Sequence, residues 1–365
     1  MTDKKIKRIA IKVEASGNGI INFDSNDQKY IWNKVPKNQK VNPKYNNVSF
    51  SKKDWYGKGD DFDYKIKISG ECIKNAMFKD DVHSFSPSLQ YNSNLFMTYL
   101  TSESIVSRGY LFANDKESIK RKGTLCLTSF TQTNNAVSTI EIGSRGGEKI
   151  KKISADDSSD TSLFFRETIG DVKYSSDHVS IDLCELQFIC GDTITDRLAV
   201  SVEDQKKYIE YMRNRYGNDI PDFELYKHAT SSDQIPEIGI MLPNDVTLRL
   251  AKHLLRKILG FEYYKTRAFI KTDSVKIKLI SDPLDHIGSE DEDWITLTPE
   301  IINNLDFEVY QQYIRCEDQL TESQIRESIS KRGDDLKNEK IANKTAQREK
   351  LKSAKLDKDN EKENA

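Results

Sequence analysis

The sequence lacks the signals that mark the common enzyme classes. Its 365 residues contain no Walker lysine motif, nucleophile elbow or dinucleotide fingerprint. The five histidines show no H-x-x-x-H or H-x-E spacing, and the cysteines form no C-x-x-C pair. A zinc site needs four ligands at workable spacing, and none is evident. We therefore expect no catalytic histidine, no metal and no cofactor.

Membrane and secretion signals are also missing. No apolar run reaches the length of about 18 residues that a membrane span needs, and the N-terminus has no apolar signal region. The odd number of cysteines indicates a reducing, cytoplasmic compartment. Three of them, Cys72, Cys126 and Cys184, lie in apolar runs, where buried reduced thiols are usual.

Charge is present in quantity but unevenly placed. The net charge is only −2, yet residues 1–155 carry 26 Lys and Arg against 16 Asp and Glu, whereas residues 156–320 carry 18 against 32. A basic half joined to an acidic half indicates either a nucleic-acid face on one side or head-to-tail association of copies. The remaining residues, 321–365, alternate basic and acidic side chains and predict a charged tail that is helical or disordered.

Hydrophobic periodicity predicts an α+β fold with antiparallel character. The predicted strands are 7–15, 62–68, 108–113, 123–130, 138–142, 163–167, 178–189 and 267–280, the last as a strand or hairpin; residues 114–122 are a polar connection. The predicted helices are 69–78 with Ser69 as N-cap, 92–101, 202–216, 245–259 and one within 298–314. We place a single domain over 1–320, with loop or hairpin insertions at about 24–61 and 131–161.

Basic residues beside glycine indicate a polyphosphate ligand. They occur in S-R-G-Y-L-F, K-R-K-G-T-L-C-L-T-S-F and G-S-R-G-G-E-K-I-K-K between Ser107 and Lys152. Charge attracts the phosphates, and glycine lets the backbone approach them closely. Arg108 combines a guanidinium fork with nearby rings at Tyr110 and Phe112, on which bases can stack. A second basic concentration over 245–280 is better explained as the solvated face of an amphipathic helix.

The order of these elements resembles a known family. A strand leading into I-S-G-E-C-I-K-N-A-M-F, followed by S-R-G-Y-L-F and K-R-K-G-T-L-C-L-T-S-F, is similar to the backbone subunit of class 1 CRISPR effector complexes. This is the Cas7 type of the RAMP superfamily, and variant type I-F is the nearest form. The resemblance covers Phe62 to Phe130 well and the rest in outline.

The resemblance implies a modified ferredoxin-like, RNA-recognition-type core with inserted hairpins and no enzymatic activity. Copies would polymerise head to tail along a guide RNA (crRNA), present it for pairing with a target nucleic acid, and contact other CRISPR effector subunits. Lys74 and Arg108 carry over as RNA-backbone contacts. Charge alone adds Arg121, Lys122, Arg145 and Lys149, and the ring of Tyr110 completes the predicted RNA-binding set.

Two other hypotheses remain open at this stage. Related subunits of type III complexes cut RNA with a loop aspartate, so Asp156, Asp157 or Asp160 could serve a metal-dependent RNA endonuclease. Alternatively, the two charge halves could drive assembly of a structural protein that binds no nucleic acid.

Overall fold

The computed structural model describes most of the chain in separate ranges. These are residues 5–19, 53–56, 63–79, 81, 93–113, 118–135, 138–144, 163–192, 197–230, 236–265, 268–281 and 293–316. They divide into two compact units, each assembled from three chain segments. Unit 1 contains the chain up to Arg108, Gly123–Gln187 and Asn244–Tyr310, and unit 2 contains Gly109–Lys122, Phe188–Pro243 and the chain from Gln311.

Strands and helices alternate irregularly along the chain. The strands are β1 Arg8–Asn18, β2 Lys53–Tyr56, β3 Asp63–Ile68, β4 Tyr110–Ala113, β5 Ser118–Arg121, β6 Leu125–Cys126, β7 Phe130–Gln132, β8 Ser138–Ser144, β9 Leu163–Ile169, β10 Val172–Asp182, β11 Phe188–Cys190, β12 Glu224–His228, β13 Glu237–Met241, β14 Glu262–Lys265, β15 Ala268–Ile280, β16 Ile295–Thr296 and β17 Tyr313–Arg315. The helices are α1 Gly70–Met77, α2 Ser93–Leu100, α3 Glu103–Arg108, α4 Leu183–Gln187, α5 Gln205–Tyr216, α6 Asn244–Leu259 and α7 Pro299–Asn304.

Unit 1 is built on an antiparallel sheet. Its strands run in the order β14-β15-β1-β10-β7-β3-β2, with β16 beside β15 and β6 beside β10. The central strand β1 alternates, so that Ile9, Ile11 and Val13 are at most 1 % exposed while Lys12 and Glu14 lie on the opposite face. The amphipathic helix α6 adds Leu250, Leu254 and Ile258 to the core, along with other apolar residues.

A two-stranded ribbon continues from this sheet. Strands β6 and β7 pair with β10, and the neighbouring β8 and β9 pair with each other from Ser138 opposite Ile169 to Ser144 opposite Leu163. Because β7 precedes β8 and β9 precedes β10, the two ladders form successive parts of one long antiparallel hairpin. Part of the predicted 131–161 insertion is therefore β-structure.

Unit 2 contains a smaller sheet in the order β11-β13-β12-β17, the separate β4–β5 pair and helix α5. The rings of Phe188 and Tyr313 stack with centroids 4.0 Å apart, and Tyr226 contacts Phe188 edge-on. A Cβ at Gly239 would lie 2.3 Å from the Phe188 ring, so this core depends on glycine in β13. The three rings close one face of the small sheet.

The structure confirms the α+β class and most predicted elements, and it corrects several. Residues 178–189 are not one strand, because β10 ends at Asp182 and α4 and β11 follow. The predicted strand 108–113 begins only at Tyr110, since Arg108 ends α3 and Gly109 has a φ of 81°. The predicted polar connection includes the strand β5. The helix predicted within 298–314 is confirmed as α7.

Two of the three cysteines expected to be buried are exposed. Cys184 is buried, but Cys72 lies on the outer side of α1 and Cys126 on the outer face of β6. When a cysteine has apolar neighbours in the sequence, the pattern alone does not decide whether its side chain faces the core or solvent. No helix of the described residues is long and apolar enough to cross a membrane.

Candidate nucleic-acid interface

The first element of the candidate interface is the start of helix α1. The Ser69 hydroxyl caps the helix as predicted, because the Cys72 N–H donates to Ser69 Oγ at 3.3 Å. The next residue, Gly70, lies directly against the segment that joins β6 to β7. A Cβ at Gly70 would be 1.8 Å from the carbonyl oxygen of Leu127. The helix therefore begins in fixed contact with the segment between β6 and β7.

Lys74 and Arg108, the two contacts carried over from the resemblance, come together in unit 1. Gly123 lies between them, because a Cβ there would be 2.7 Å from Lys74 Nζ and 2.6 Å from the Arg108 carbonyl oxygen. The Arg108 guanidinium donates to Asn75 Oδ1 and lies 5.8 Å from the centroid of the Phe78 ring. Lys74 thus projects from helix α1, and Arg108 is held against the same helix.

The electrostatics of this cluster favour an anionic ligand. Burial lowers the pKa of Lys74, an effect that Glu71 opposes and the nearby positive charge of Arg108 reinforces. Within the described part of the chain, neither Lys74 nor Arg108 forms an ion pair with a carboxylate closer than 4 Å. Two half-buried cations that repel each other gain stability when a phosphate binds between them.

Two hydrogen bonds fix the backbone around Arg108 and Gly123. The Thr124 hydroxyl donates to the Ser107 carbonyl oxygen at 2.9 Å, and the Asp182 N–H donates to the Thr124 carbonyl oxygen at 3.0 Å. These bonds hold the end of α3 and the segment before β6 against strand β10. Gly109 follows with a φ of 81°, a conformation that glycine adopts without strain. The two glycines are therefore needed for different reasons. Gly109 adopts a positive φ, and Gly123 allows the close approach of Lys74 and Arg108.

Three other predicted RNA contacts belong to unit 2. The Tyr110 hydroxyl donates to the Ala199 carbonyl oxygen, and burial raises its pKa well above the usual value. Arg121 is only 6 % exposed and donates to the Phe188 carbonyl oxygen at 2.9 Å. Such burial argues against Arg121 as a surface contact. Lys122 is exposed.

The remaining predicted contacts, Arg145 and Lys149, lie outside the described residues, as do Asp156, Asp157 and Asp160 of the endonuclease hypothesis. Among the described residues, no group of three or more His, Cys, Asp and Glu side chains could hold a metal ion.

Two lysines face each other across neighbouring strands of the unit 1 sheet. Lys12 on β1 lies directly opposite Lys276 on β15, whereas Lys278, opposite the buried Ala10, is only 8 % exposed. On the other side of Ala10, Ser180 pairs in turn with Cys126. Like charges directly opposite each other are unfavourable, and the Trp294 ring offsets part of this cost because Lys12 Nζ lies 4.4 Å from its centroid. The sequence shows that both strands contain lysine, but it does not show which residues pair across the sheet.

Comparison of the sequence with known protein families gives independent evidence on this chain. Residues 5–313 match the family described as type I-Fv CRISPR-associated protein Cas7fv-like. The chain belongs to the Cas7fv-like family. The resemblance seen in the motifs between Phe62 and Phe130 is thereby confirmed, and it extends over nearly the whole described chain. Lys74, Arg108 and Gly123 all lie within the matched residues.

Among the solved structures that are similar to this chain is one described as a "CRISPR RNA-guided surveillance complex, pre-nicking". It has 9 % sequence identity and a TM-score of 0.36, with 74 % of this chain and 75 % of that chain covered. No curated protein matches this sequence.

One arrangement in this Cas7fv-like chain has the residue types of a hydrolase triad. Ser104 Oγ lies 2.9 Å from His253 Nε2, and His253 Nδ1 lies 3.5 Å from Glu103 Oε2. However, Ser104 is 8 % exposed within α3, and its hydroxyl also donates to Asp81 Oδ2 at 2.8 Å. A buried hydroxyl that already donates to a carboxylate is a poor nucleophile. We interpret these residues as a polar connection between α3 and α6.

Proposed function

We propose that this chain is a guide-RNA (crRNA) binding backbone subunit of a CRISPR interference complex and that it is not an enzyme. The observation that carries the proposal is the Lys74–Arg108 pair, which the fold assembles at Gly123 from three separate motifs. These motifs lie in a chain of the Cas7fv-like family. Side chains that bind phosphate without reading bases suit a protein whose specificity comes from guide pairing.

The chain order of unit 1 supports a ferredoxin-like core. Its central strands are β15-β1-β10-β7, and the sequence order is β1, α1, β7, β10, α6 and β15. A β-α-β-β-α-β order with the first strand between the third and fourth is the ferredoxin-like arrangement. We propose this core as the RNA-recognition-type domain, with β2 and unit 2 as additions and residues 321–365 as a charged tail.

The β8–β9 ribbon is our candidate for a thumb-like hairpin. It extends an antiparallel hairpin rooted in the core sheet, and its strands flank the basic segment that contains Arg145 and Lys149. In the proposed assembly, copies associate head to tail and the ribbon of one copy interrupts guide–target pairing in its neighbour. The basic 1–155 and acidic 156–320 regions supply complementary charge for that association.

Co-expression with a repeat–spacer array tests the proposal as a whole. We expect a large particle that contains RNA of one defined length and disassembles on RNase treatment. A monomer free of nucleic acid contradicts guide binding. A large particle that contains no RNA supports nucleic-acid-free assembly instead, and target cleavage by the purified particle contradicts the non-enzymatic assignment.

The Arg108→Gln substitution tests the site. Loss of one phosphate contact should weaken binding about equally for all RNA sequences and reduce the slope of log K against log salt by about 0.7. The matched control is Arg215→Gln, an exposed arginine in the last turn of α5 in unit 2. Titration at several salt concentrations measures both variants. Sequence-selective loss, or equal loss in the control, contradicts a backbone contact at Arg108.

A further inference from the structure

A second group of cationic and aromatic side chains lines a cleft of about 590 Å³ in unit 1. The cleft is bordered by the end of α1, the last turns of α6 and strand β14. Its lining includes Lys79, Arg256, Lys257, Glu262, Tyr263 and Tyr264. Lys74 and Arg108 are not among the lining residues, so this cleft is separate from the interface described above.

The most exposed ring of the cleft is that of Tyr264, which is 65 % exposed. The Phe269 ring on the paired strand β15 supports it, with centroids 6.1 Å apart and planes inclined by 29°. Its hydroxyl donates to Glu262 Oε2 at 3.3 Å. The ring is therefore held in place while much of its surface faces solvent, which is the arrangement that a stacking platform needs.

Three cations line the same cleft. Lys79 Nζ lies 5.6 Å from the centroid of the Tyr263 ring. The Arg256 guanidinium donates to Asn303 Oδ1 at 3.0 Å and has further N–H groups for an anion. Lys257 is different, because it is 2.6 Å from Asp81 Oδ2 and its charge is already compensated. Lys79 and Arg256 are thus the groups suited to phosphate.

We propose that this cleft binds a segment of single-stranded nucleic acid, with a base on Tyr264 and neighbouring phosphates on Lys79 and Arg256. Single-strand binding sites combine a basic groove with exposed rings, and this pairing distinguishes them from sites for acidic peptides. An acidic peptide would use the cations but leave the ring without a function. The assignment does not depend on guide binding at Lys74 and Arg108.

The test uses the full chain in which Lys74→Gln and Arg108→Gln remove the first interface. Binding of short fluorescein-labelled oligo(dT) and oligo(U) is measured by anisotropy at low salt. In this background, Tyr264→Leu should weaken binding about 10-fold or more because the stacking face is lost. Tyr264→Phe keeps the ring and should bind as the background does. Equal binding of both oligonucleotides assigns the site to either strand type, and a difference identifies DNA or RNA.

A second substitution examines the phosphate contact. Arg256→Gln should lower the salt slope by about 0.7, whereas Lys227→Gln, an exposed lysine on β12 in unit 2, should leave the slope unchanged. The proposal is overturned if Tyr264→Leu binds as tightly as Tyr264→Phe, or if the background variant binds neither oligonucleotide. Competition by poly-glutamate without any effect of Tyr264→Leu also overturns it and indicates an acidic protein partner. A chain that carries no guide RNA refutes the proposed function alone.

Discussion

Gly123 is the residue whose substitution should disturb the proposed interface most directly. A Cβ at this position would be 2.6 Å from the Arg108 carbonyl oxygen and 2.7 Å from Lys74 Nζ. The nearer contact is about 1 Å shorter than an optimal heavy-atom contact of roughly 3.5 Å. The lysine end can move away, but the carbonyl oxygen belongs to the backbone at the end of α3. Gly123→Ala therefore has to displace Arg108.

Gly123→Ala should lower both the unfolding free energy and the affinity for RNA. Overpacking against backbone costs about 1–3 kcal/mol of unfolding free energy. RNA affinity should fall about 10-fold, because the substitution displaces the cations on either side of Gly123. This factor corresponds to about 1.4 kcal/mol of binding free energy. The loss should be similar for all RNA sequences, since these side chains contact phosphates and not bases in our proposal.

Gly170→Ala is the matched control, because no atom lies within 4 Å of a Cβ built at Gly170. Removing a glycine there should leave stability unchanged or raise it by about 0.4–1 kcal/mol through the unfolded state. Urea denaturation of the RNA-free chains and RNA titration would be measured for both variants. The reasoning is refuted if Gly123→Ala matches Gly170→Ala in stability and in RNA affinity.

Two further predictions concern buried charged groups. Arg121→Met should lower the unfolding free energy by about 1–3 kcal/mol, because the Phe188 carbonyl oxygen loses a buried donor. The RNA affinity of the folded variant should not change. A stable variant with weakened RNA binding would contradict this. Burial lowers the pKa of His253 below 6.5, and the nearby Lys257 and Arg256 lower it further, although Glu103 and Asp81 oppose this. The unfolded chain therefore binds a proton more readily than the folded chain. The unfolding free energy of the wild type should fall as the pH drops below about 6.5. Denaturation of His253→Gln across this range should show a weaker pH dependence, and an unchanged one would contradict the assignment.

Much of the fold could be predicted from the sequence where one periodicity extended over a whole element. Residues 7–15 and 267–280 alternate strictly enough to predict β1 and β15, and the 245–259 pattern predicts α6. The prediction was wrong where periodicity changed without a turn residue. Residues 178–189 alternate between polar and apolar side chains for most of their length, so the pattern of a single strand continues across the change from β10 to α4 and then to β11.

The second unit shows the same limit at a larger scale. Its three segments are separated by long stretches of unit 1. Local pattern carries no information on which distant segments meet, so the burial of Arg121 beneath the Phe188 carbonyl was not foreseeable. A basic residue in a K-R-K run has the same appearance in sequence whether it faces solvent or a carbonyl oxygen.

The sequence by itself determined the α+β class, the family motifs and the uneven distribution of charge, because these depend on composition, period and spacing. It also determined the helix start at Ser69, since capping is a local interaction. Only the tertiary structure decided that Lys74 and Arg108 meet at Gly123, that Lys12 lies opposite Lys276 and that Tyr264 borders a basic cleft. These arrangements arise from strand pairing and helix packing between residues distant in the chain.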